Sequence, residues 1–327
     1  MSFPVKLLLS AVAGLLVFAG VGYFLDTRAI LAALSSLSLA YVPLILGLAI
    51  TNYVFRFAKW QYYLRTIGIV IPARESLAIY LSGFMMAVTP GKLGEVLKAY
   101  LLKRMYGTKM RVTAPVVLAE RITDVVALLI LSIAGATALH YGERVLWLAV
   151  ALTASLLLAL SSRSLAVAVI GVCERLPVIE RVAHKLHEAY DSMAALLRTI
   201  PLAIGTAVSV PAWACEGVAF YCIFVGMRSA APGAVPPLGG AVFIYAFSTL
   251  VGALSMLPGG LGAAEAGLAG LAVSLFGVPR GVAGAATLIV RLLTLWFAVA
   301  LGAAVFAACR GMFGIGFGEV GEVKREE

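Results

Sequence analysis

Seven charged side chains of this 327-residue chain stand inside or beside apolar stretches: Glu95, Glu120, Arg121, Asp124, Glu216, Glu265 and Arg291. A lone charge at the centre of a bilayer costs about 2.5 to 3.5 kcal/mol even on a lenient insertion scale, so each must meet a partner or a wet cavity. Arginine offers a planar fork of donors that fits phosphate oxygens. A buried carboxylate can hold a helix break or carry a proton. Arg121 and Asp124 stand at i, i+3 and can neutralise each other, whereas Glu120 and Asp124 at i, i+4 repel. Arg291 has no acid in its own apolar segment, so its partner must come from another helix or from a substrate. Arg56, Lys59 and Lys92, at the ends of apolar stretches, add cations for an anionic ligand. Two readings stay open for these residues: a binding site with coupling acids, or ion pairs that fix helix packing.

Other chemistries have less footing. His184, His187 and Glu188 have a spacing that suits a metal, but a solvated helix face is the plainer reading. The three aspartates, Asp26, Asp124 and Asp191, are far apart and His140 stands alone, so neither a metal nor a cofactor is expected. Cys173, Cys215, Cys222 and Cys309 lack zinc-site spacing and read as buried thiols. No phosphate-cradling GxxxxGK[ST] run is present, which argues against ATP hydrolysis by this chain.

An internal repeat organises these residues. Residues 89–95 read TPGKLGE and residues 257–265 read LPGGLGAAE. The breaks are Pro90, Gly91 and Gly94 in the first copy, and Pro258, Gly259, Gly260 and Gly262 in the second. Glu95 and Glu265 follow them. Downstream, Arg121 lies fourteen residues after Gly107 and Arg291 fourteen residues after Gly277. Proline lacks a donor and glycine loosens the backbone, so both segments are poor continuous helices.

The elements that must position these groups are membrane helices. The chain is 62% hydrophobic and 13% charged, against roughly 45 to 50% and about 25% in soluble domains. Apolar stretches fall at Leu7–Leu25, Leu39–Phe55, Val125–Ala138, Val145–Leu160, Leu202–Cys215, Ala241–Leu257 and Leu292–Cys309. A bilayer core of about 30 Å takes about 20 helical residues, so several of these are spans. A signal peptide is the alternative for the first.

The net charge of +9 is uneven. Basic clusters at 56–74, 92–111, 175–198 and the tail read as cytoplasmic, and the connections near Tyr141 and Pro232–Pro237 as external. Both termini are then cytoplasmic, and the chain is a multi-pass protein of the cell membrane. Anionic lipid is the natural counter-charge; no nucleic acid is expected. Counted this way, the two breaks enter from opposite sides. The expected fold is an all-α polytopic helical bundle with two inverted repeats, each holding a Pro-Gly-broken or re-entrant hairpin. Such breaks at matching positions of inverted halves mark transport sites. A single transmembrane domain covers 1–327: repeat one at about 40–140, an interfacial amphipathic helix at about 174–200, repeat two at about 201–309, and a tail at 310–327.

RFAKW at 56–60, TPGKLGEVLKAYLL at 89–102, LAERITD at 118–124 and SMLPGGLGAAEAG at 255–267 together resemble the flippase-like transmembrane family. That family includes the membrane region of lysylphosphatidylglycerol synthases. It usually carries arginines where this chain has Lys92 and Lys98. The resemblance implies lipid translocation; with no aminoacyltransferase segment in the chain, lysine transfer is not expected. The expected partner is an anionic phospholipid or a polyprenyl-phosphate-linked glycolipid, moved through a charged cavity by alternating access. An intramembrane lipid-modifying enzyme, or a scaffold for lipid or glycan synthesis enzymes, is the alternative.

Overall fold

The computed structural model describes residues 27–88, 96–139, 192–230, 232–255 and 257–314, and those residues are helical or connect helices. The apolar stretches Leu7–Leu25 and Val145–Leu160, the histidines, and most of the expected interfacial helix lie outside them. So does the first Pro-Gly motif, with Pro90, Gly91, Lys92, Gly94 and Glu95.

The first half runs α1 (Thr27–Ser35), α2 (Tyr41–Thr66), α3 (Ala73–Gly83) with a 3-10 turn at Phe84–Met86, α4 (Leu97–Tyr106) and α5 (Met110–Leu139). The second runs α6 (Thr199–Gly226), α7 (Leu238–Leu254), a 3-10 turn at Pro258–Gly260, α8 (Ala263–Phe276), α9 (Arg280–Arg291), a π-helical turn at Leu292–Trp296 and α10 (Phe297–Cys309). Among the described residues, Tyr41–Thr66, Thr199–Gly226, Pro258–Phe276 and Arg280–Cys309 have the length and apolarity of membrane spans. The protein is an all-α, multi-pass membrane protein.

Local sequence explains the boundaries. Pro72, Pro237 and Pro279 occupy the N-cap positions of α3, α7 and α9 in extended backbone, because a residue without an amide hydrogen cannot continue a preceding helix but can begin one. Gly107 and Gly277 end α4 and α8 in the left-handed conformation. Each is followed three residues later by a 30-residue helical stretch, Met110–Leu139 or Arg280–Cys309. The order of long helix, helix, Pro-Gly segment, short helix and 30-residue helix thus occurs in both halves.

Pro258–Phe276 is not a continuous span. Gly259, Gly260 and Gly262 have φ of 62°, 67° and 88°, so regular helix begins at Ala263. The 14 residues of α8 rise about 21 Å, and the 10 of α4 about 15 Å. Both fall short of a hydrocarbon core of about 30 Å.

The halves exchange their longest helices. One apolar core gathers α6, α7, α8 and α9 around Phe220, Phe224, Phe243 and Ile244, and it includes Ala127 to Ala136 from the end of α5. The other gathers α2, α3 and α4 around Trp60, Tyr63, Tyr80 and Leu101, and it includes Ala298 of α10 and Phe313 beyond it. Each 30-residue stretch therefore begins in its own half and ends in the other. Lipid tails are as apolar as leucine, so close approach through small residues, not hydrophobicity, drives such packing. Gly135 of α5 lies against Phe243, and Gly302 of α10 against the backbone of Leu81 and Met85. The end of the expected interfacial segment also packs inward: Leu196 and Leu197 are buried.

Candidate functional site: a buried cationic cluster and a braced helix break

The first polar centre forms where α2, α4, α5 and α6 meet. Arg56 and Lys59 lie one helical turn apart on α2. Lys59 is fully buried, and its Nζ donates to Asp124 Oδ1 at 2.6 Å, Ser209 Oγ at 2.6 Å, Thr123 Oγ1 at 3.2 Å and the Glu120 carbonyl at 3.3 Å. The other oxygen of Asp124 is held more loosely, by Arg121 Nη1 at 3.5 Å and Arg56 Nη2 at 3.8 Å. Lys98 of α4 enters from the side. Its Nζ donates to Glu120 Oε2 at 2.5 Å and lies over the rings of Trp60 at 4.6 Å and Tyr80 at 5.2 Å, whose π faces attract a cation.

Four cations, Arg56, Lys59, Lys98 and Arg121, thus share two carboxylates, Glu120 and Asp124, among the described residues. The arginines are the accessible members: their side chains are 11% and 18% exposed, against 0% and 3% for the lysines. Arg56 is also seated over Phe84 and Trp213. Beside it, Trp213 Nε1 and Asn52 Oδ1 are buried without a hydrogen-bond partner among the described residues; buried polar atoms of this kind call for water or a ligand.

The second centre braces the break of the second half. Arg291 donates through Nε to Glu265 Oε1 at 2.5 Å and through Nη2 to the Gly259 carbonyl at 2.8 Å. The other oxygen of Glu265 accepts the amide of Gly262 at 2.6 Å, so this carboxylate caps α8 and holds the arginine at once. Arg291 and Glu265 are both buried. The arginine's acid partner therefore comes from another helix, one of the two sources expected from the sequence.

Two further polar contacts lie among these helices. Tyr53 of α2, one turn before Phe57, donates its hydroxyl to the Thr294 carbonyl at 2.8 Å, inside the π turn that follows Arg291. Tyr245 of α7 donates to the buried Glu216 of α6. π turns arise where a regular helical ladder is interrupted, often at functional sites; here Tyr53 takes one of the carbonyls.

Of the sequence-predicted residues, Arg56, Lys59, Glu120, Arg121 and Asp124 come together in the first centre. Glu265, Arg291, Gly259 and Gly262 come together in the second, with Pro258 and Gly260 in the same turn. Arg121 and Arg291, at equivalent sequence positions, keep different acids. Lys92, Glu95 and the first break lie outside the described residues.

The sequence does not single out Lys98 or Ser209 as site residues. Lys98 has a visible signal, since it shares a buried stripe with Leu101 and Leu102 at i+3 and i+4. Ser209 has none, being one small hydroxyl in an apolar helix. Val88, the last described residue before the first Pro-Gly motif, lies against the second break: a Cβ on Gly259 would lie 3.3 Å from its Cγ1.

No curated protein sequence matches the chain. The family described as the lysylphosphatidylglycerol synthase TM region, a membrane domain associated with lipid modification or transport, matches residues 11–302. That span takes in all of Met110–Leu139, Arg280–Cys309 except its end after residue 302, both breaks and all the polar residues above, and this chain belongs to the lysylphosphatidylglycerol synthase TM-region family.

Proposed function

We propose that this protein translocates a lipid with an anionic, phosphate-bearing head group across the cell membrane, leaving the lipid chemically unchanged. The observation that carries the reading is the cluster that, among the described residues, gathers four cations on two carboxylates. Lys59 and Ser209 fix Asp124, and Lys98 fixes Glu120. Arg56 and Arg121 then present guanidinium groups whose contacts to Asp124, at 3.8 and 3.5 Å, are long enough for phosphate oxygens to replace them. Charge-assisted contacts of this kind are short and bidentate when well made. The acyl or prenyl chains stay in lipid while the head group passes the guanidinium groups of Arg56 and Arg121.

In this reading the two halves are inverted repeats, α4 and α8 belong to re-entrant hairpins, and both termini are cytoplasmic. The halves rock past each other around the cluster. An anionic phospholipid and a polyprenyl-phosphate glycolipid share the recognised chemistry. The direct test is head-group translocation in vesicles containing the purified protein and a fluorescent anionic phospholipid or polyprenyl phosphate. Transport of either by the wild type, lost in Arg121→Gln while the variant keeps its thermal stability, supports the reading. Equal rates with and without protein for both probes overturn it, and a chemically altered lipid would point to an enzyme.

A further inference from the structure

We infer that residues 310–314, the turn after α10, position α4 and thereby hold Lys98 in the first polar centre. Arg104, near the end of α4, donates through Nε to the Phe313 carbonyl at 3.1 Å and through Nη2 to the Gly314 carbonyl at 2.5 Å. Two donors of one planar fork on two successive carbonyls fix an orientation as well as a distance. Gly314 has φ of 66°, a conformation that glycine adopts without strain, and this presents its carbonyl to the arginine. The Phe313 ring is 1% exposed. It stacks on Phe306 with centroids 5.8 Å apart, in the same core as Leu101 and Leu102 of α4.

The same stretch grips the chain on the other side of the first Pro-Gly motif. A Cβ at Gly302 would lie 2.5 Å from the Met85 amide nitrogen and 2.7 Å from the Leu81 carbonyl oxygen. Residues 297–314 therefore touch both the turn that leads into positions 89–95 and the helix that leaves them. α4 is only 10 residues long, too short to be stable by itself, so its position depends on what holds its two ends. Lys98 with Glu120, Trp60 and Tyr80 holds one; Arg104 and Phe313 hold the other.

The test is reductive methylation of the full-length protein in detergent, with each lysine read by mass spectrometry. The exposed Lys103 serves as internal standard, and the buried Lys59 reports global unfolding. In Arg104→Ala and in Phe313→Ala, labelling of Lys98 relative to Lys103 rises about tenfold, as expected for local opening of one element, and Lys59 stays protected. Phe313→Leu, which keeps an apolar plug, stays near the wild type. Lys98 as protected as in the wild type in both alanine variants overturns the inference, and so does labelling of Lys59 that rises in parallel with Lys98. The readout uses no lipid, so a failure of the transport reading leaves it intact.

Discussion

Arg121 and Arg291 occupy equivalent sequence positions but have different neighbours, and this separates their roles. Arg291 is tied to Glu265 and to the Gly259 carbonyl, in a buried site with its donors directed at the break. Removing one partner of a buried pair strands the other charge and costs about 3 to 5 kcal/mol. Arg291→Gln is therefore expected to lower the thermal unfolding temperature in detergent, and adding Glu265→Gln to restore much of it. Absence of such rescue would show that the arginine does not act through Glu265. Arg121 is half-buried, with the more exposed side chain, and Asp124 keeps Lys59 without it. Arg121→Gln should leave unfolding near the wild type while weakening anionic-lipid binding ten- to over a hundredfold, the equivalent of about 1.5 to 3 kcal/mol for a charged hydrogen bond. Native mass spectrometry of co-purified lipid measures this directly. A stability loss in Arg121→Gln as large as in Arg291→Gln would assign both arginines to packing.

Helices α5 and α10 each cross into the opposite half, and their contacts identify which glycines matter. Gly302 meets backbone, which cannot move aside as a side-chain end can. Gly302→Ala is expected to destabilise the protein by about 1 to 3 kcal/mol, the usual effect of overpacking. Gly270 of α8 has nothing within 4 Å of its would-be Cβ. Gly270→Ala should be neutral or gain roughly 0.5 to 1 kcal/mol from reduced backbone freedom. Thermal unfolding of the two variants side by side checks the pair; equal effects would argue against close packing of α10 on the Phe84–Met86 turn. Gly83 bears on the site as well. A Cβ there would lie 2.6 Å from Cγ of Lys98, so Gly83→Ala should displace the lysine from Glu120 and raise its labelling, with Lys59 again the control.

At the scale of the whole molecule, the proposed inversion of the halves makes a topological prediction. Cysteines placed at Thr89 and Leu257 of an otherwise cysteine-free protein should be labelled by impermeant reagents from opposite sides of the membrane. Labelling of both from one side only would remove the inverted arrangement, and with it the rocking mechanism. Composition alone determined that the chain is a helical membrane protein, because 62% apolar residues leave too little polar surface for a soluble fold. Proline and glycine determined where most helices stop, since their backbone restrictions act within a few residues. The i, i+3 relation of Arg121 to Asp124 was legible for the same local reason. The remaining pairings were decided by tertiary structure. Lys59 reaches Asp124 across 65 residues and Ser209 across 150, and Arg291 reaches Glu265 across 26. Such partners are chosen by how α2, α5 and α6 cross, and by the exchange of α5 and α10 between the halves. Sequence spacing carries no record of a crossing angle, so it could name the charges that needed partners but not which charge each would find.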